Sequence, residues 1–345
     1  MMMKKYLLDC FYFFQLYKFV RIAFRNRISI LMYHGFTEEK YNDGIENNTG
    51  NHIYIKLFRA QIKYIKENYN VISLQQYVQS CNTGKRLPDN SIIITIDDGY
   101  KSNYTLAYPV IKEFDIPATI FLTTDFIDSK NFLWVDRLEY AINKTDQNEL
   151  QFLMGGKEYN FSLKDRRDKL LCNEFIKKEL KKTQNESIEK NVDQIEVKLK
   201  IKLSESRSVP EIYNPLLWNE IQEMVQNSKI DIGSHTHKHL ILSRYDKEVI
   251  QQELVLSKNI IEKKTGINTE SFCYPNGALG DFNLETGQLV REAGYTCALT
   301  TVSGTNSEVS NLYELKRFAV CNTDFKSFVL TISGVKYFLS QIKGS

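Results

Sequence analysis

Seven short apolar runs, rich in β-branched residues, constrain this chain more than any other feature. They are Ile28–Tyr33, Ile92–Ile96, Ala118–Leu122, Ile230–Ile232, Ser271–Tyr274, Cys297–Thr300 and Leu315–Val320. Near-continuous apolar runs suit strands covered on both faces, as in a parallel sheet. Helical periodicities lie between them: Phe58, Ile62 and Ile65; Leu217, Ile221, Met224 and Val225; Val249 to Ile261, ending near Gly266; and Leu289, Val290 and Ala293 before Gly294. Strand–helix alternation predicts an α/β fold, either a parallel barrel or an open sheet. The 345 residues allow one large domain or two ordinary ones. With 42% hydrophobic and 25% charged residues, a disordered chain, a collagen-like fibre and a polytopic membrane protein are excluded. A net charge of +3 gives no reason to expect a nucleic-acid partner. The six cysteines form no CxxC pair and read as small buried hydrophobes in a reducing compartment.

Two segments break the alternation. Residues 144–207 are rich in Lys, Glu, Gln and Asn and carry weak helical periodicity, with only a turn-like Gly155-Gly156 between. This predicts a helical insertion dividing one domain into 28–143 and 208–345. Residues 1–27 read as a leading basic, aromatic helix: Phe11, Phe14 and Phe19 alternate with Lys18, Arg21 and Arg25, after Lys4 and Lys5. Its interrupting charges fit neither a spanning helix nor a signal peptide. Two readings stay open: a helix on an anionic membrane surface, or one that packs its aromatic face on the domain.

Two constellations carry chemistry. Three of the five histidines fall in Ser234-His235-Thr236-His237-Lys238-His239, after an apolar run. Imidazole ligates divalent metals, and the i, i+4 spacing lets His235 and His239 converge if a helical turn follows His235; His237 then points elsewhere. Asp97-Asp98-Gly99 closes the run from Ile92. Adjacent carboxylates at a strand end are costly unless paired or metal-bound, so one suits a ligand and the other a base. Together they predict a two-His, one-Asp metal site with an open position.

The order of these motifs resembles the polysaccharide deacetylases with the NodB homology domain, carbohydrate esterase family four. Their T-F-D-D-G is similar to Thr95-Ile96-Asp97-Asp98-Gly99, their H-[S/T]-x-x-H to His235–His239, and their F-R-x-P-Y-G to Phe272-Cys273-Tyr274-Pro275-Asn276-Gly277. The resemblance implies a distorted (β/α) barrel with fewer than eight strands and metal-dependent hydrolysis of an acyl group, usually N-acetyl on an amino sugar. It implies Asp98, His235 and His239 as ligands of one divalent ion, Zn²⁺ with Co²⁺ or Ni²⁺ as alternatives. Asp97 becomes the general base, and the backbone N–H of Asn276, after Tyr274 and Pro275, an oxyanion donor. Two departures stand out. Cys273 occupies the place of the arginine that pairs with the base, and no histidine follows His239 to serve as the usual acid. His34, closing the first run, is the candidate acid; His52 reads as part of a polar loop. Arg137 and Arg317 are candidates for the missing arginine, and Trp134 for stacking on a sugar ring. The expected substrate is a bacterial surface polysaccharide or its lipid-linked precursor. The rival readings are an amide hydrolase on a small molecule or formylated sugar, and a catalytically weak glycan-binding protein. The expected location is cytoplasmic, at the inner face of the membrane.

Overall fold

The computed structural model describes residues 2–40, 43–129, 132–321 and 324–342. The strands are β1 (Ser29–Tyr33), β2 (Gly35–Thr37), β3 (His52–Tyr54), β4 (Asn70–Val71), β5 (Ser91–Ile96), β6 (Ala118–Leu122), β7 (Glu149–Met154), β8 (Lys157–Ser162), β9 (Ile230–Ser234), β10 (Ser271–Cys273), β11 (Cys297–Leu299) and β12 (Phe318–Ala319). Each predicted run contains one strand of the main sheet. Its seven-strand path runs β11-β10-β9-β6-β5-β1-β12, with β4 beside β5. All pairings within it are parallel. The two ends approach each other: Leu315, three residues before β12, forms a parallel bridge with Leu299 of β11. The sheet is therefore a curled (β/α) barrel with fewer than eight strands on its path.

The packing follows from the pattern. Ile92, Ile94, Ile96, Ile120 and Ile232 face the layer of helices that includes Ile55–Asn68 and Trp218–Asn227, whose Phe58, Ile62, Ile65, Ile221 and Met224 are buried against them. Register then places chemistry at one end. Tyr33 pairs with Ile96 and Leu122 with Ser234, so His34, Asp97, Thr123 and His235 all leave the sheet at its C-terminal mouth.

Residues 144–207 are not purely helical. They open with the antiparallel hairpin β7–β8, followed by helices Arg166–Leu180 and Asn185–Leu199. Leu150, Phe152 and Met154 alternate with exposed neighbours, a period of two that the surrounding charge obscures. Gly155 and Gly156 hold φ 58° and 77°, which a tight hairpin turn requires. The unit also extends backwards: Trp134, Leu138 and Ile142 of helix Trp134–Lys144 belong to the same apolar cluster as Phe152, Ile176 and Val192.

Candidate active site and metal centre

Asp98 follows β5, while His235 and His239 follow β9. The Nε2 atoms of both imidazoles stand 3.5 Å from Asp98 Oδ1, and the ring centroids are 4.8 Å apart. The three ligand atoms lie within 4.8 Å of one another. No helical turn produces this convergence. Thr236 and His239 hold φ 65° and 56°, and Asp98 holds φ 74°, so left-handed residues fold both loops back on the mouth. Such conformations are costly for non-glycine residues and cluster at functional sites. Buried Glu253 steadies the histidine loop by accepting from the N–H groups of His237 and Lys238 at 2.9 and 2.8 Å. His237 points elsewhere, its Nδ1 2.8 Å from Thr124 Oγ1.

The donor set fits a divalent cation. His235 Nδ1 lies 2.7 Å from the Cys273 carbonyl, which holds that nitrogen as the N–H donor and leaves Nε2 free to ligate. Burial drives His235 down to about 4 and His239 well below the usual imidazole range, so both are in the neutral, ligating form. Burial, then the charges of Asp97 and Asp136, pushes the Asp98 carboxyl well above its ordinary value. A positive ion beside it relieves that cost. Two imidazole nitrogens and one carboxylate oxygen suit a first-row divalent metal.

Asp97 is held differently. Arg317 lies just before β12, is 0% exposed and points into the barrel. Its Nη1 and Nη2 donate to Asp97 Oδ1 and Oδ2, both at 2.8 Å. Its Nε donates to the Thr300 carbonyl at 2.8 Å, Nη1 also to Thr95 Oγ1 at 3.1 Å, and Nη2 to Cys273 Sγ at 2.9 Å. All five guanidinium N–H groups therefore have acceptors. Burial alone would raise the Asp97 carboxyl, but the Arg317 charge and bonds override it and hold the group well below the usual carboxylate range. Cys273, buried 3.6 Å from Asp97 Oδ2, is small enough to leave that room.

The other candidates divide. His34 follows β1 at the same mouth, half-buried; burial, with the Arg317 and Lys181 charges, lowers it below the usual imidazole range, and the Asp97 charge offsets this only in part. Asn276 stands at φ 57°, with its carbonyl taken by Thr301 Oγ1 at 2.7 Å. Buried Pro275 precedes it. Trp134 is only 6% exposed and packs in the insertion's core, so little of its ring is left to the cleft of about 470 Å³ that it lines with His239, Phe126 and Phe132. Tyr274 does not face the mouth. Strand alternation turns it opposite to Cys273, where it stacks on Phe282 at 5.0 Å. Arg137 does not reach Asp97: its guanidinium is bound by Glu189, Asp193 and Glu196 of helix Asn185–Leu199. Arg317 faces Asp97 and not solvent, so it has no surface to offer a sugar. His52 is no loop residue. It begins β3, paired with Gly35, is 5% exposed, and burial followed by the neighbouring His34 lowers it to about 3. Its ring packs on Tyr100 at 4.6 Å. Its polar neighbours in the sequence hid the three-residue strand.

Residues 84–298 match the polysaccharide deacetylase sequence family, whose members work with a divalent metal. The chain is 22% identical over 297 residues to YxkH of Bacillus subtilis (strain 168), covering 85% of this chain and 71% of that protein. A poly-beta-1,6-N-acetyl-D-glucosamine N-deacetylase of Staphylococcus epidermidis is 37% identical over 76 residues, 22% of this chain and 26% of that one. The chain thus spans about a quarter of that relative's length. The fold is similar to that of the Streptococcus pyogenes deacetylase PplD in complex with acetate, with TM-score 0.58 and 18% identity over 89% of this chain and 98% of that one. With motif order, barrel and a match over more than half its length agreeing, the chain belongs to the polysaccharide deacetylase family.

Proposed function

We propose that this chain hydrolyses the N-acetyl group of an amino sugar in a bacterial surface polysaccharide. The observation that carries the reading is a second carboxylate, Asp97, held by both Arg317 Nη atoms at 2.8 Å beside the Asp98–His235–His239 set. Pure binding needs no second carboxylate held in its basic form there. The cleft beside His239, lined in part by Phe126, Phe132 and Trp134, supplies the place for a sugar. The Staphylococcus epidermidis relative's name supports an N-acetylglucosamine polymer as the substrate class.

A divalent ion on Asp98, His235 and His239, Zn²⁺ by the chemistry of the donors, supplies Lewis-acid polarisation of the acyl oxygen. The chain's own residues do the rest. Asp97 takes a proton from the attacking water as its oxygen bonds to the acyl carbon. The Asn276 N–H donates to the oxyanion that develops. His34 gives a proton to the nitrogen as the C–N bond breaks, releasing acetate and a free amine. Arg317 keeps Asp97 ionised and oriented and touches no substrate.

Acetate release from N-acetylglucosamine oligomers, lost with a chelator and restored by Zn²⁺, Co²⁺ or Ni²⁺, tests the reading. No acetate with any ion, or formate release from N-formyl sugars instead, overturns it. His235→Ala and His239→Ala are expected to lose bound metal by elemental analysis, while His237→Ala keeps it. Equal loss in all three overturns the ligand assignment. His34→Ala is expected to lower kcat by about 10²-fold or more at unchanged metal content. Its pH–rate profile should also lose the alkaline limb that reports the essential acid. An intact alkaline limb would assign the proton to another group.

A further inference from the structure

The N-terminal segment forms a helix pair on the outside of the barrel, Met2–Phe13 followed by Tyr17–Ala23. One side is tied down. Asp9 pairs with Lys326, Tyr12 stacks on Tyr17 at 6.0 Å, and Arg21 donates to Asn68 at 2.9 Å while lying over the Tyr69 ring. The other side is bare: Tyr6 is 65% exposed, Phe13 72%, Phe14 73%, Phe19 71% and Ile22 54%. Tyr6 and Phe13 are seven apart on the first helix and Phe19 and Ile22 three apart on the second, so each helix presents an exposed apolar stripe, with Phe14 exposed in the turn between them. Several large apolar side chains exposed within one short segment mark an interaction surface. Tyr12 and Tyr17 pack against the domain, whereas Phe13, Phe14 and Phe19 stand exposed. The side chains of Lys4 and Lys5 lie outside the described part of the structure.

A second feature adjoins it. The second helix runs on into Arg25 and Arg27, which with Arg86 line a cleft of about 300 Å³. Ile28 and Ser91, also in its wall, begin the runs of β1 and β5, so the cleft lies at the end of the barrel opposite Asp97. Asp89 pairs with Arg25 at 3.4 Å and Arg86 at 2.9 Å, and Glu308 lines the wall. Three guanidiniums against two carboxylates leave it positive, and such exposed pairs exchange readily for a phosphate.

We propose that the helix pair and the arginine cleft form one docking face for an anionic phospholipid surface. The aromatic residues enter the interfacial layer, and the arginines take headgroup phosphates. No helix among the described residues is long and apolar enough to cross a membrane. Met2–Phe13 has 12 residues, about 18 Å of helix against a hydrocarbon core of about 30 Å, so it lies along the surface. A second copy is the poorer occupant, because self-association would bring like-charged arginine clusters together. On the reading given above, the docked barrel turns its catalytic mouth to the aqueous side. A glycan chain extending from the membrane suits that orientation better than a sugar held at the lipid headgroups.

Vesicle sedimentation tests this without any assay of hydrolysis. The full chain is expected to pellet with phosphatidylcholine vesicles containing one-quarter phosphatidylglycerol, weakly with phosphatidylcholine alone, and less as salt rises. The triple variant Phe13→Ser, Phe14→Ser, Phe19→Ser should lose about tenfold or more in partitioning. Arg25→Gln with Arg27→Gln should flatten the salt dependence. Both variants should keep wild-type acetate release from soluble oligomers. Equal partitioning of wild type and triple variant, or binding abolished by free inorganic phosphate with no vesicle preference, overturns the proposal. So does a dimer in sedimentation velocity that the triple variant abolishes. Loss of hydrolysis with binding intact would count against the catalytic reading alone.

Discussion

Asp97→Asn is expected to lower kcat by about 10²- to 10⁴-fold while bound metal stays at the wild-type level, because an amide cannot accept the proton of the attacking water. Metal content separates this from damage to the ligand set, since Asp98, His235 and His239 remain. The variant should also melt several degrees lower. Arg317 is fully buried and loses its counter-charge, and breaking a buried pair from one side costs about 3–5 kcal/mol. Rates are therefore compared below the onset of melting, with the folded fraction measured by circular dichroism. Activity within tenfold of wild type would show that Asp97 serves the fold and not the reaction.

Arg317→Ala should have the second large effect, on both activity and its pH dependence. In the wild type the Asp97 carboxyl is depressed, so the pair stabilises the fold above the ordinary carboxylate value near ~3.9, and that stabilisation is lost as pH falls through the depressed value. Without Arg317 the sign reverses. Burial, the largest influence on Asp97, then pushes the carboxyl up. The variant should be most stable in acid and weaken as pH rises through the raised value. The acidic limb of kcat/KM should move to higher pH, because a protonated Asp97 is no base. Arg317→Lys tests the same idea where the alanine variant fails to fold. A lysine keeps the charge but only three donors, so it cannot reproduce the bidentate bond and should recover part of the activity with a smaller shift. A loss of stability in either variant with an unmoved acidic limb would restrict Arg317 to a structural role.

The arginine also shows where local sequence stops being informative. Cys273 sits where the related motif carries arginine, and the sequence offers both Arg137 and Arg317 as candidates for the missing arginine. What separates them is strand order. β12 closes the path beside β1, next to β5, so a side chain just before β12 projects at Asp97. Arg137 starts a helix that turns to the insertion and meets three carboxylates there. Sequence separation between Arg317 and Asp97 carries no trace of this closure.

Other features were legible because their cause is local. The buried strands announce themselves as apolar runs, since a parallel sheet covered on both faces needs no polar alternation. Asp97, Asp98, His235 and His239 fall at the ends of such runs, where the chain must leave the sheet. Tertiary structure decided what depends on partners. The period-two hairpin β7–β8 was masked by its charged outer face, and β3 by its length of three residues. The left-handed bends at Asp98 and His239 suit residues that tolerate that region, but the one at Thr236 does not follow from its β-branched side chain. The sequence by itself located the strands of the sheet and the residues Asp97, Asp98, His235 and His239 that meet at its mouth. The tertiary structure alone decided which arginine holds Asp97 and which aromatics stay exposed, because both depend on contacts between segments far apart in the chain.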